Sequence, residues 1–136
     1  MFLVGDIGNT DIKICLVDSS KKIVKKINFS SKKITNIQLK KKFKQLKLQN
    51  SNLKKCLFCS VVPKTFKIIK KFIKNNYKIR CFELKDLKID KLIKIKVNKK
   101  QIGSDRLSNA IGAMNNKDNF IILDFGTATT FDVLVK

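Results

Sequence analysis

Apolar and polar positions recur with two different periods along this chain, and the switches between them mark out its elements. Residues 2–6, 11–18 and 22–29 carry the alternation and short apolar runs of strands, with Asp18-Ser19-Ser20 as the turn before the third. Residues 36–48 place Leu39, Phe43 and Leu46 at helical spacing, and 54–62 return to an apolar strand ending at Ser60-Val61-Val62-Pro63. In 64–77, Phe66, Ile69 and Ile73 form a stripe that Ile68 and Phe72 widen, with lysines opposite, which predicts a surface helix lying on a sheet. Residues 79–84 predict a short strand and 85–102 a lysine-rich connection of weak periodicity. Residues 104–115 predict a helix, with Leu107, Ala110, Ile111 and Met114 on one face. A last strand pair begins near residue 119 and closes with 129–135.

The order β-β-β-α-β-α-β-α, followed by a fresh strand pair, predicts an α/β fold: a mixed sheet flanked by helices and the opening of a second copy. The strand over 129–135 would be left as an exposed hydrophobic edge, which folded proteins rarely tolerate, so a partial sequence is expected. At 136 residues with 43% hydrophobic content, the chain suffices for one ordinary core. It has no stretch of 18 apolar residues, and Met1 opens directly into a strand pattern without the layout of a signal peptide. A cytoplasmic location with no membrane partner is therefore expected.

Charge and cysteine usage change this picture little. The formal net charge is +21, yet two of the 31 basic residues, Arg80 and Arg106, are arginine and the rest are lysine, spread over most of the chain between residues 21 and 100. Recognition of bases and phosphates leans on the forked donors of arginine, so solvated lysine faces are the expectation and no specific nucleic-acid partner is. Cys15, Cys56, Cys59 and Cys81 sit among apolar neighbours in predicted strands, and the chain has no histidine. The pair Cys56-Leu57-Phe58-Cys59 is therefore expected to be buried packing rather than zinc ligands or a redox couple.

Candidate chemistry lies in a signature that occurs twice. Asp6-Ile7-Gly8-Asn9-Thr10 follows the first strand, and Asp124-Phe125-Gly126-Thr127-Ala128-Thr129-Thr130 follows the strand Phe120-Ile121-Ile122-Leu123. Each delivers an Asp, a Gly and hydroxyl or amide residues into a tight turn. Such a turn is a candidate phosphate cradle: Gly permits torsions that aim successive N–H groups at an anion, and the Asp can hold a metal ion. Two such cradles facing one another would grip one triphosphate. A third element, Gly103-Ser104-Asp105-Arg106, opens the helix of Leu107. Capping by Gly103 or Ser104 puts Asp105 in the first turn, where the helix dipole favours a carboxylate that can take a proton from a substrate hydroxyl. Arg106 offers a fork for a carboxylate or phosphate.

These segments, with Lys13, Ser60-Val61-Val62-Pro63, Leu107-Ser108-Asn109-Ala110 and Phe131-Asp132, resemble the type III pantothenate kinases of the acetate and sugar kinase, Hsp70 and actin superfamily. The resemblance spans residues 1–136 and implies a ribonuclease H-like first domain over 1–117 with the opening strands of a second over 118–136. It implies ATP-dependent phosphorylation of pantothenate, the first step towards coenzyme A, by a homodimer using Mg²⁺ and potassium or ammonium. The ATP-phosphate loop would be Asp6, Ile7, Gly8, Asn9, Thr10, Asp11, Ile12 and Lys13, with Asp6 near the metal and Thr127 also on ATP. Gly103, Ser104, Asp105 and Arg106 would form part of the pantothenate pocket, with Asp105 the proton acceptor and Arg106 facing the substrate carboxylate. Asp124 would bind the monovalent cation. Members usually have Asn where Asp11 stands, and Tyr and Pro where Lys96 and Lys99 stand. The 136-residue chain alone is expected to be inactive. Two rival readings are a non-catalytic regulatory relative and a basic nucleic-acid-binding module.

Overall fold

The alternation in the first two strands sorts their side chains onto opposite sheet faces. In the computed structural model, which describes residues 1–48, 53–99, 101–115, 117–126 and 128–136, β1 (Phe2–Ile7) turns Leu3 and Ile7 inward, and β2 (Asp11–Val17) turns Ile12, Ile14 and Leu16 the same way. Phe2, Val4 and Asp6 of β1 lie on the other face. β3 (Ile23–Ser30) adds Ile27 and Phe29 to the buried side, and β4 (Lys55–Ser60) adds Cys56 and Phe58. Phe58 is paired with Gly5, and a Cβ at Gly5 would collide with the Phe58 ring, so the ring packs where a side chain is missing.

The strand order is β3-β2-β1-β4-β5, where β5 spans Cys81–Glu83. β1, β2 and β3 are antiparallel neighbours, whereas β4 pairs parallel with β1 and β5 parallel with β4. This is the mixed sheet of an α/β fold that the element order predicts. The inner face packs on α1 (Asn36–Leu46) through Leu39, Phe43 and Leu46, and on α2 (Pro63–Tyr77) through Phe66, Ile69, Phe72 and Ile73. Thr35 caps α1, its hydroxyl accepting from the Gln38 N–H at 3.2 Å. Pro63 occupies the first turn of α2, where its missing N–H costs nothing, so this helix starts one residue before the predicted boundary.

On the opposite face lies α3 (Ser104–Ala113), reached from β5 through two single-turn 3-10 segments, Leu84–Asp86 and Ile89–Lys91. Leu84, Ile89, Ile102 and Leu107 make a small second core there, joined by Leu57, Ile95 and Ile111. The lysine-rich connection of weak periodicity is thus pinned by single apolar residues. Glu83, the one glutamate of the chain, ties its two ends: it accepts the Lys85 N–H at 2.7 Å and the hydroxyl of the buried Ser104 at the start of α3.

β6 (Phe120–Phe125) and β7 (Thr129–Leu134) form a separate antiparallel hairpin. Its half-buried face, which includes Ile122, Asp124, Thr130 and Asp132, is the one that meets α3, and its other face is open. Among the described residues, no helix is long and apolar enough to cross a membrane.

Candidate active site

Asp6 faces away from the helix-packed core because it is out of phase with Leu3 and Ile7 on β1. Its cross-strand neighbours are Lys13 on β2 and Cys59 on β4. The Cys59 thiol donates to Asp6 Oδ1 at 3.6 Å and approaches the Gly5 carbonyl at 3.7 Å. Burial pushes the Asp6 carboxyl above its ordinary range; Cys59 and Lys13 pull it back, and Asp105 and Asp124 push it further up. The Cys59 thiol is itself pushed up to about 12, chiefly by burial and then by the Asp6 charge, so it remains a donor at physiological pH.

Asp105 arrives from α3. Gly103 precedes the helix in an extended conformation (φ −67°, ψ 152°), and Asp105 accepts the N–H of Arg106 at 2.8 Å. A Cβ on Gly103 would strike the Asp105 carboxylate, so glycine is required for that side chain to sit as it does. Helical spacing places Asp105, Ser108 and Asn109 on one side of α3. That side lines a cavity of about 540 Å³ with Asp6, Lys13 and Cys59 from the sheet and Ile122, Leu123 and Asp124 from β6. Asp124 also accepts from Asn109 Nδ2 at 2.8 Å.

Three carboxylates and one lysine on a single cavity suit a ligand that brings its own positive charge or comes with cations. The donors are hard oxygens, the set preferred by Mg²⁺ and similar ions. Thr130, directly across from Asp124 in the hairpin register, buries a hydroxyl oxygen that has no hydrogen-bond partner, so the oxygen set beside Asp124 is not internally satisfied. Among the described residues no three Cys, Asp or Glu side chains close into a metal cage. The residues therefore fit a cation shared with ligand oxygens better than one held wholly by protein.

Other predicted site residues are placed differently. The side chains of Ile7 and Ile12 are fully buried in the main core, which leaves them backbone groups alone for a ligand. Gly8, Asn9 and Thr10 form the β1–β2 turn and Asp11 opens β2, all four outside the cavity wall. Gly8 has no positive φ, contrary to the torsional role expected of it, and its N–H is taken by the Asp11 carbonyl at 2.9 Å. The Asn9 carbonyl accepts the Ser31 hydroxyl, and the Thr10 carbonyl accepts the Ser31 N–H at 2.8 Å. Ser104 is committed to Glu83. Arg106 turns towards β7, where it meets Asp132. Thr127 lies outside the described residues. Lys96 is exposed, and Lys99 pairs with Asp90.

Cys56 and Cys81 are buried neighbours on β4 and β5, as expected of packing residues. Cys59 departs from that expectation, because positions 56 and 59 of a strand point to opposite faces and the second therefore faces the cavity. Cys59, Ser108 and Asn109 are wall residues that had no expected site role, although the last two stand in the Leu107-Ser108-Asn109-Ala110 motif. Strand and helix phase alone could have proposed them, had the β1–β4 pairing been known.

A family model described as type III pantothenate kinase matches residues 2–136. A type III pantothenate kinase of Pelagibacter ubique is 63% identical over the whole chain, which covers 55% of that protein. One from Ehrlichia canis is 34% identical over the whole chain, which covers 54% of it. The chain thus spans about half the length of the curated relatives it matches. Among solved structures, the Lmo2764 protein of Listeria monocytogenes matches 98% of this chain and 46% of its own at 12% identity and a TM-score of 0.49.

Proposed function

The chain belongs to the type III pantothenate kinase family, and from that premise we propose that the protein transfers the γ-phosphoryl group of ATP to pantothenate, giving 4′-phosphopantothenate for coenzyme A biosynthesis. The observation that carries this reading is the meeting of Asp6, Lys13, Asp105 and Asp124 on one cavity, drawn from three separate stretches of chain. Asp105 accepts the proton of the pantothenate hydroxyl while that oxygen attacks the γ-phosphorus and the bond to ADP breaks. Lys13, Thr127 and the backbone amides of the turn between Ile7 and Ile12, apart from that of Gly8, which bonds to Asp11, bind the ATP phosphates. Asp6 would hold Mg²⁺ through water, and Asp124 a potassium or ammonium ion; bound there, these ions supply neutralisation of the phosphate charge. The segment from Gly103 to Arg106 forms part of the pantothenate pocket. Catalysis then rests on positioning and electrostatics without a phosphoenzyme. In this reading the working protein is a cytoplasmic homodimer, with residues 1–117 and 118–136 belonging to its first and second domains.

The test is a coupled assay of the complete gene product with ATP, Mg²⁺, potassium and pantothenate. Wild type should turn over, and Asp105→Asn should lose about a hundredfold or more in kcat. Equal rates in the two proteins would remove Asp105 from the role of base. Wild type that binds nucleotide without turnover would favour the non-catalytic regulatory relative.

A further inference from the structure

The β6–β7 hairpin is held against α3 by two polar contacts one helical turn apart. Arg106 Nε donates to both carboxylate oxygens of Asp132 at 3.0 Å, and Nη2 donates to Asp132 Oδ1 at 2.5 Å and to the Phe131 carbonyl at 3.3 Å. One turn on, Asn109 Nδ2 reaches Asp124 at 2.8 Å. Residues 106 and 109 share a helix face. Asp132 and Asp124 are diagonal neighbours on the half-buried face of the hairpin, since their respective partners are Ile122 and Thr130. The Asp132 side chain is 14% exposed and that of Arg106 32%, so the carboxylate is the more shielded partner of a two-donor pair. Arg106 is thereby engaged by the protein's own carboxylate.

We propose that Asp132 is a positioning residue: by taking the fork of Arg106 it docks the β6–β7 hairpin on α3 and so sets Asp124 in the cavity beside Asp105 and Asp6. This deepens the kinase reading and rests on it for the meaning of the cavity, but it assigns Arg106 to the hairpin rather than to the substrate carboxylate. A point-charge lysine at 106 could not reproduce the fork, and an amide at 132 would keep the shape while losing the charge. Nothing in the sequence motifs separates these two roles for Arg106, because both need an arginine at that place.

The experiment compares Asp132→Asn, Arg106→Gln, Arg106→Lys and the Asp132→Asn/Arg106→Gln double variant of the complete gene product. It combines steady-state kinetics with hydrogen exchange of the unliganded proteins. Each single variant should lower kcat by about tenfold to a hundredfold, with KM for pantothenate within about twofold of wild type. The double variant should be no worse than either single one, and exchange of the β6 and β7 amides should rise alike in all of them. Should Arg106→Gln instead raise KM for pantothenate about tenfold or more, while Asp132→Asn leaves kcat and hairpin exchange as in wild type, Arg106 is a substrate ligand and the proposal is overturned. If wild type itself shows no turnover, the kinase reading fails and hydrogen exchange alone decides. A matched rise in the variants upholds the docking, and independent or absent changes overturn it.

Discussion

Asp6 shows how a single side chain can serve a site at the expense of the fold. Its carboxyl is pushed up first by burial and then by Asp105 and Asp124, against the pull of Cys59 and Lys13. A carboxyl whose folded pKa lies above its unfolded value favours the fold below the unfolded value of 3.8, and that contribution is lost as pH rises through the folded pKa. At neutral pH the ionised group is therefore unfavourable for stability. Asp6→Asn keeps the shape and an oxygen that can accept from Cys59, and should melt higher than wild type at pH 7, with the advantage shrinking as pH falls through the raised folded pKa and gone below the unfolded value of 3.8. Thermal melts of both proteins across this range provide the check, and a gap that does not change with pH would refute the account. Asp6, Asp105 and Asp124 were legible in the sequence because each stands in a short motif with its own chemical logic. Cys59 was not, since its meeting with Asp6 depends on β4 lying beside β1, a long-range pairing that local alternation does not encode.

Helix ends show where local sequence and backbone geometry disagree. α2 stops at Tyr77, and Lys78 takes a left-handed conformation (φ 58°) as its N–H bonds back to the Lys74 carbonyl. Glycine is the usual residue at such a position because a Cβ there is strained. Lys78→Gly should stabilise the fold by about 0.5–1 kcal/mol, the relief of strain outweighing the added freedom of the unfolded chain. Chemical denaturation of the two proteins would measure it, and a destabilised variant would show that the Lys78 side chain contributes more than its backbone costs. Every long periodic segment was legible as an element, because burial of one face imposes the period that the sequence displays. The stretch from Leu84 to Ile102 was not. It is fixed by isolated anchors, Ile89 and Ile102, and by the Glu83 bond to Ser104, and single contacts leave no repeating pattern to read.

Across the whole molecule, two opposing surfaces govern behaviour in solution. The open face of the β6–β7 hairpin pairs Ile121 with Val133 and Leu123 with Phe131. Ile121 and Val133 are each 72% exposed, and Phe125 nearby is 76% exposed. An apolar sheet face of this kind promotes association. The net charge of +21 opposes it, because like-charged copies repel one another. Salt weakens that repulsion, shortening the screening length from about 10 Å at 0.1 M to about 3 Å at 1 M, while leaving the apolar attraction intact. The 136-residue chain should therefore associate more as salt rises, the opposite of what lysine-driven binding to a polyanion would do. Replacing the cross-strand pair by Ile121→Lys with Val133→Glu puts opposite charges side by side on the open face and should suppress the association without disturbing the cavity, whose wall neither residue joins. Sedimentation at several protein and salt concentrations decides the matter. A chain that stays monomeric at high salt, or a double variant that associates as wild type does, would show that the hairpin face is not the surface responsible.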